Sequence, residues 1–213
     1  PSLVGSEMCI RDRDCNPPKS FGDYREYVRK IISNLTKLKE IHDSKGIIFG
    51  EIGLPESRTT QYRFLEQHGL TKEEYAFQFW KTLLEESEGK VDGFFFWGEA
   101  WRNFDSVRGL ISCYYKGSGV ECVDKLMSEF KDSALNAIKR AEDRVENVTK
   151  QNIPSKVKNK VAKSMKEAKR AFDEGEYILA KYWANEAYNY YKPIPSVGLV
   201  LDGIDCDWVQ MYK

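Results

Sequence analysis

The chain has little that would tie it to nucleic acid, to a metal or to a membrane span. Its 33 basic and 33 acidic residues cancel, whereas a dedicated nucleic-acid protein usually carries a basic excess. It has two histidines and five cysteines, and no pair of cysteines has CxxC spacing, so a zinc site is not expected. His42 lies near a helix end and His68 beside a loop glycine. Both read as structural or solvated rather than catalytic. No apolar run approaches the ~20 residues needed to cross a bilayer, and no metal or organic cofactor is implied. The 213 residues allow one or two domains.

Both ends of the chain lack the pattern of a folded unit. Residues 1–13, PSLVGSEMCIRDR, have no period, cap or charge pattern. They resemble a translated library-adapter sequence and are expected to be a non-native leader, set aside from fold reasoning. A short disordered or signal-derived leader is the alternative. Residues 193–213 hold one strand and a turn at Asp202-Gly203, which cannot bury a face alone. They are expected to open a truncated β domain.

Between these ends the chain divides in two. In residues 14–122, Ser20-Phe-Gly-Asp23 looks like a capping box, and Tyr24, Val28, Ile31, Ile32, Leu35 and Leu38 follow at helical spacing to about His42. Ile47 to Gly50 is a short continuous apolar run, the pattern of a strand buried on both faces in a parallel sheet. A long polar loop follows from Leu54 to about Leu70. Thr71-Lys-Glu-Glu74 is a second capping-box pattern, opening a helix that carries Tyr75, Phe79, Trp80, Leu83 and Leu84. Gly89 closes that helix, and Val91 to Trp97 is the next apolar strand. Helix, strand, long loop, helix, strand is the order of parallel βα units.

Residues 123–192 have a different texture. One long stripe joins Leu126, Phe130, Ala134, Ala137, Ala141, Val145 and Val148. A second runs from Val157 to Phe172 and a third from Tyr177 to Tyr191, with breaks at Asn152-Ile-Pro154 and Glu174-Gly175. Such spacing with short breaks describes packed antiparallel helices, a hairpin or three-helix spacer. AFDEGEYILAKYWANEAY within it resembles helical-hairpin spacers of exported archaeal and bacterial surface proteins. Lysines 156, 158, 160, 163, 166 and 169 can attract a polyanion or an anionic cell surface; a solvated helix face is the preferred reading. Cys113 and Cys122 flank YYKGSGVE and either form a small disulfide in an exported protein or remain two thiols.

The chemistry concentrates at two strand ends. GIIFGEIG delivers Glu51 beside Gly50 and Gly53, and VDGFFFWGEAW delivers Trp97, Glu99 and Trp101. A carboxylate at the end of a buried strand is a common way to present a catalytic group at the mouth of a parallel barrel, and an indole offers a flat apolar platform for a sugar ring. Glycoside cleavage uses two carboxyl groups, about 5–5.5 Å apart in retaining enzymes. Glu51 suits the nucleophile; capping a turn or pairing with Arg58 is the alternative. Trp97 suits sugar stacking or barrel core. Glu99 and Trp101 suit contacts to neighbouring sugars or plain loop packing.

These two motifs resemble the clan A glycoside hydrolases, the superfamily of family 5 cellulases and mannanases. There the seventh barrel strand commonly ends in apolar-apolar-x-Glu-x-Gly, with the Glu as nucleophile, and the eighth in a tryptophan that stacks on the sugar. IIFGEIG and GFFFW match in order, with Glu51 and Trp97 in those places. The resemblance covers Phe21 to about Phe130. It implies the C-terminal portion of a (β/α)8 barrel, an α/β fold, followed by the helical segment. It implies a retaining hydrolase of a β-linked glucan or mannan, with carbohydrate substrate as partner and oligomeric state open. The family's acid/base, a Glu after Asn on the fourth strand, has no counterpart here, so this chain alone is expected to be catalytically silent. LVLDGIDCDW resembles the opening of family 9-like carbohydrate-binding β-sandwiches, which would make the whole an exported, extracellular or cell-surface, polysaccharide-degrading protein. A non-catalytic glycan-binding or surface protein with a degenerate barrel is the rival.

Overall fold

A computed structural model describes residues 20–42, 45–52, 65–96, 104–117, 119–149 and 154–190. The leader, the 193–213 segment, Cys15, Cys206, Arg58, Trp97, Glu99 and Trp101 lie outside the described residues. Glu51 is described through its backbone only.

The first half opens with α1 (Phe21–Ile41), β1 (Ile48–Ile52), α2 (Lys72–Ser87) and β2 (Gly93–Phe96). Ser20 caps α1 by accepting from the Asp23 N–H at 3.0 Å. At α2 the capping box is complete: Thr71 accepts from the Glu74 N–H, and Glu74 accepts from the Thr71 N–H. Each cap satisfies donors that a helix start leaves without partners. A single helical turn at 65–68 precedes α2, inside the stretch expected to be loop.

The strands pair in parallel, as the β–α–β order requires. Their N-terminal ends are held by Asp92, whose backbone N–H donates to the Ile47 carbonyl at 2.8 Å and whose carboxylate accepts from the Ile47 N–H at 2.7 Å. A Cβ on Gly46 would sit 2.8 Å from that carboxylate, so the closure needs glycine there.

Beyond β2 no further strand follows among the described residues. Instead come α3 (Asp105–Tyr115), α4 (Gly119–Ser128), α5 (Lys131–Thr149), α6 (Ser155–Asp173) and α7 (Tyr177–Asn189). This overturns the expected α/β fold class. The described protein is mostly helical with one two-stranded parallel sheet, not a portion of a (β/α)8 barrel. A barrel needs each strand covered on both faces by its neighbours' layers. Here Ile48 is 59% exposed, and the large side chains of the core come mainly from helix–helix contacts. Helix α3 had no clear signal in the sequence. The long stripe from Leu126 to Val148 is two helices, broken at Glu129 and Phe130, whose amides bond back to Leu126 and Met127.

Cys113 on α3 and Cys122 on α4 form a disulfide with Cα atoms 5.8 Å apart, within the usual span. Closing so short a loop stabilises by about 2–3 kcal/mol in the chain-entropy account.

Two cores meet at α7. The first gathers Val28 and Ile32 of α1, Phe77 and Trp80 of α2, Leu110 of α3, and Ile178 and Tyr182 of α7. The second is built of small residues: Ala134, Ala137 and Ala141 of α5, Val161, Ala168 and Ala171 of α6, and Ala180, Ala184 and Ala187 of α7. On a helix, positions 178 and 182 lie opposite 180, 184 and 187. Helix α7 is therefore buried on two sides, which is why it lacks a charged stripe.

Candidate functional site

The carboxyl ends of β1 and β2 form the candidate site. In a parallel pair both strands finish at the same edge, and ligands of open α/β sheets bind outside that edge. The paired residues are Ile48 with Gly93, Phe49 with Phe94, and Ile52 with Phe96. Between Phe49 and Ile52 the register slips. β1 has Gly50 and Glu51 where β2 has only Phe95, so the pairing is irregular over the two residues that include Glu51. Irregularities of the bulge kind are over-represented next to active sites. Below the irregularity, Phe49 and Phe94 stack with ring planes 5° apart and centroids at 5.7 Å, giving that end of the sheet a firm apolar base. β2 ends at Phe96, opposite Ile52, the last residue of β1 and the one after Glu51; Trp97 is next in sequence. Sequence reasoning singled out Glu51 but not the register shift, because a register slip depends on the partner strand.

Three polar clusters that sequence reasoning missed lie where helices meet. Glu74, 3% exposed, takes both oxygens to the Lys181 ammonium at 2.8 Å, and Ser133 donates to it at 3.3 Å. This ties α2, α5 and α7 together. At the other end of α2, Arg25 donates to Glu85 and Glu86, Arg29 donates to Glu86, and Lys81 donates to Glu85 and, at 2.7 Å, to Glu176. Hydrogen bonds from Arg29 and then Arg25 outweigh desolvation and hold the Glu86 carboxyl below its ordinary range. Both clusters are spent on joining elements. Most of their oxygens face cations, chiefly of neighbouring helices.

The third cluster surrounds His68, 2% exposed. Its ring lies on Tyr182 at 4.3 Å, Nδ1 is 3.4 Å from Glu186 Oε1, and its carbonyl accepts from Asn185 at 2.8 Å. Gly69 follows with φ of 58°, and a Cβ there would meet Asn185 Nδ2 at 2.9 Å. His68 is buried rather than solvated, and its contacts dock the 65–70 turn onto α7.

Burial pushes the His68 imidazole down from 6.5 to about 4. The unfolded chain therefore binds the proton more readily than the folded one between those values, and stability is lost as pH falls through the window. Burial raises the Glu186 carboxyl, which acts in the opposite sense at the acid end. Unfolding measured across 6.5 to 4 should show a fall in stability that is shallower in His68→Gln. An unchanged slope in that variant would put the acid sensitivity elsewhere.

Among the described residues no three His, Cys, Asp or Glu side chains cluster as metal ligands, and no helix is long and apolar enough to cross a membrane. The chain matches no protein-family model, no curated protein and no solved structure.

Proposed function

We infer that the carboxyl edge of the β1–β2 pair is the sugar-cleaving edge of a retaining glycoside hydrolase, with Glu51 as nucleophile and Trp97 as the stacking platform. The observation that carries this reading is the parallel pairing that ends both strands at one edge, with the register shift between Phe49 and Ile52 spanning Glu51; Trp97 follows the end of β2 in sequence. Glu99 and Trp101 follow two and four residues further on and are assigned to neighbouring sugar units. The substrate is a β-linked glucan or mannan. Attack by the Glu51 carboxylate on the anomeric carbon forms a glycosyl ester and expels the leaving oxygen, which natural substrates require to be protonated. No residue of this chain is assigned that acid role, so the chain alone leaves natural polysaccharides intact. The Cys113–Cys122 disulfide supports an oxidising, extracellular or cell-surface location.

A dinitrophenolate leaves without protonation, so a fluorinated β-glycoside carrying it probes the nucleophile alone. The expected result is one glycosyl adduct on the peptide that contains Glu51, absent in Glu51→Gln. An adduct on another carboxylate, or none on the wild-type chain, would remove Glu51 from the role. Sugar binding that quenches tryptophan fluorescence without any adduct would instead favour the non-catalytic glycan-binding reading.

A further inference from the structure

We propose that the outward face of α6 is a docking surface for an acidic polysaccharide, a linear sugar polymer bearing carboxylates or sulfates. The whole chain is neutral, yet seven of the 19 residues of α6 are Lys or Arg and only two are acidic. Its neighbour α5 carries four of each sign, as a merely solvated helix does. The buried face of α6 is Val161, Ser164, Ala168 and Ala171. Lys166 lies opposite that face, Lys163 beside Lys166 and Lys156 on the adjoining flank, and all three are exposed.

Other cations of α6 are already engaged. Lys169 pairs with Glu142 at 2.7 Å, Arg170 with Glu167 and Glu174, and Lys160 sits over the Tyr190 ring. The side chains of Lys156, Lys158, Lys163 and Lys166 make no hydrogen bond, ion pair or ring contact with any described residue. Two turns separate Lys156 from Lys163, about 10 Å along the axis, and Lys166 follows by about 4.5 Å. Lys156, Lys163 and Lys166 thus form a line rather than a pocket, with Lys158 on the other flank, and a line fits a linear polymer with repeated charges.

The chemistry selects among polyanions. An interfacial helix inserts bulky apolar residues into lipid, but the apolar side of α6 is buried in the bundle and the outward side offers only Ala162 beside its polar groups. Nucleic acid is disfavoured by the disulfide, which belongs to compartments away from the cytosol. Lysine is a flexible, hydrated point charge without the fork geometry that reads phosphate, and it suits mobile carboxylates along a chain.

The test is binding of the full chain to polygalacturonate across a salt series, independent of any activity at Glu51. Wild type should bind, and weaken as salt rises. The triple variant Lys156→Gln, Lys163→Gln, Lys166→Gln should bind about tenfold or more weakly, with its salt slope reduced by about 2–3. Unchanged helical circular dichroism checks its fold. A charge control, Lys131→Gln with Lys139→Gln on α5, should keep wild-type affinity. Equal binding by the triple variant, equal loss in the control, or binding confined to anionic vesicles or DNA would each overturn the proposal.

Discussion

Lys181→Met is expected to lower the unfolding free energy by about 3–5 kcal/mol, the usual cost of leaving one member of a buried ion pair alone. Both Glu74 oxygens lie 2.8 Å from the Lys181 ammonium, and both residues are buried. Methionine preserves the bulk of the lysine stem, so the loss reports the stranded carboxylate rather than a cavity. Adding Glu74→Gln should restore most of the loss, because an amide oxygen still accepts from the Thr71 N–H and carries no charge. Urea unfolding of the two variants decides the matter. If the single variant lost less than about 1 kcal/mol, the range of exposed pairs, water would have to reach Glu74 and the junction of α2 with α7 would be looser than described.

Phe77→Ala should cost a similar amount, about 3–5 kcal/mol. Phe77 is fully buried and meets the Phe130 ring edge-on at 5.2 Å. Its removal opens a space lined by Trp80 and its neighbours, which cannot collapse without moving a helix. The unfolding should remain one transition, with tryptophan fluorescence and helical circular dichroism changing together. That expectation follows from α7, whose Ile178 and Tyr182 belong to one core and whose Ala180, Ala184 and Ala187 belong to the other. Two separated transitions would mean that the alanine-lined bundle stands without the core around Trp80.

Much of the local structure was legible. The Thr71–Glu74 capping box, the helix from Phe21, the two apolar strands and the breaks at Pro154 and Gly175 all follow from neighbours within a few residues. The candidate site was legible only as chemistry: a carboxylate and indoles after apolar runs. Why the barrel expectation failed is equally physical. Short apolar runs separated by helices state that strands are parallel, but not how many strands share the sheet. The strand count depends on pairings across the whole chain, and the described sheet has two strands.

Periodicity, caps and breakers determined most of the helices, though not α3 or the turn at 65–68, because those rules act over one or two turns of backbone, and the alternation of strand and helix indicated that β1 and β2 run parallel. Tertiary structure decided that the strand register shifts between Phe49 and Ile52, that α7 serves two cores, and that Glu74 meets a lysine 107 residues away. Each of those depends on a partner brought near by folding, and no local pattern of residues encodes the partner's address.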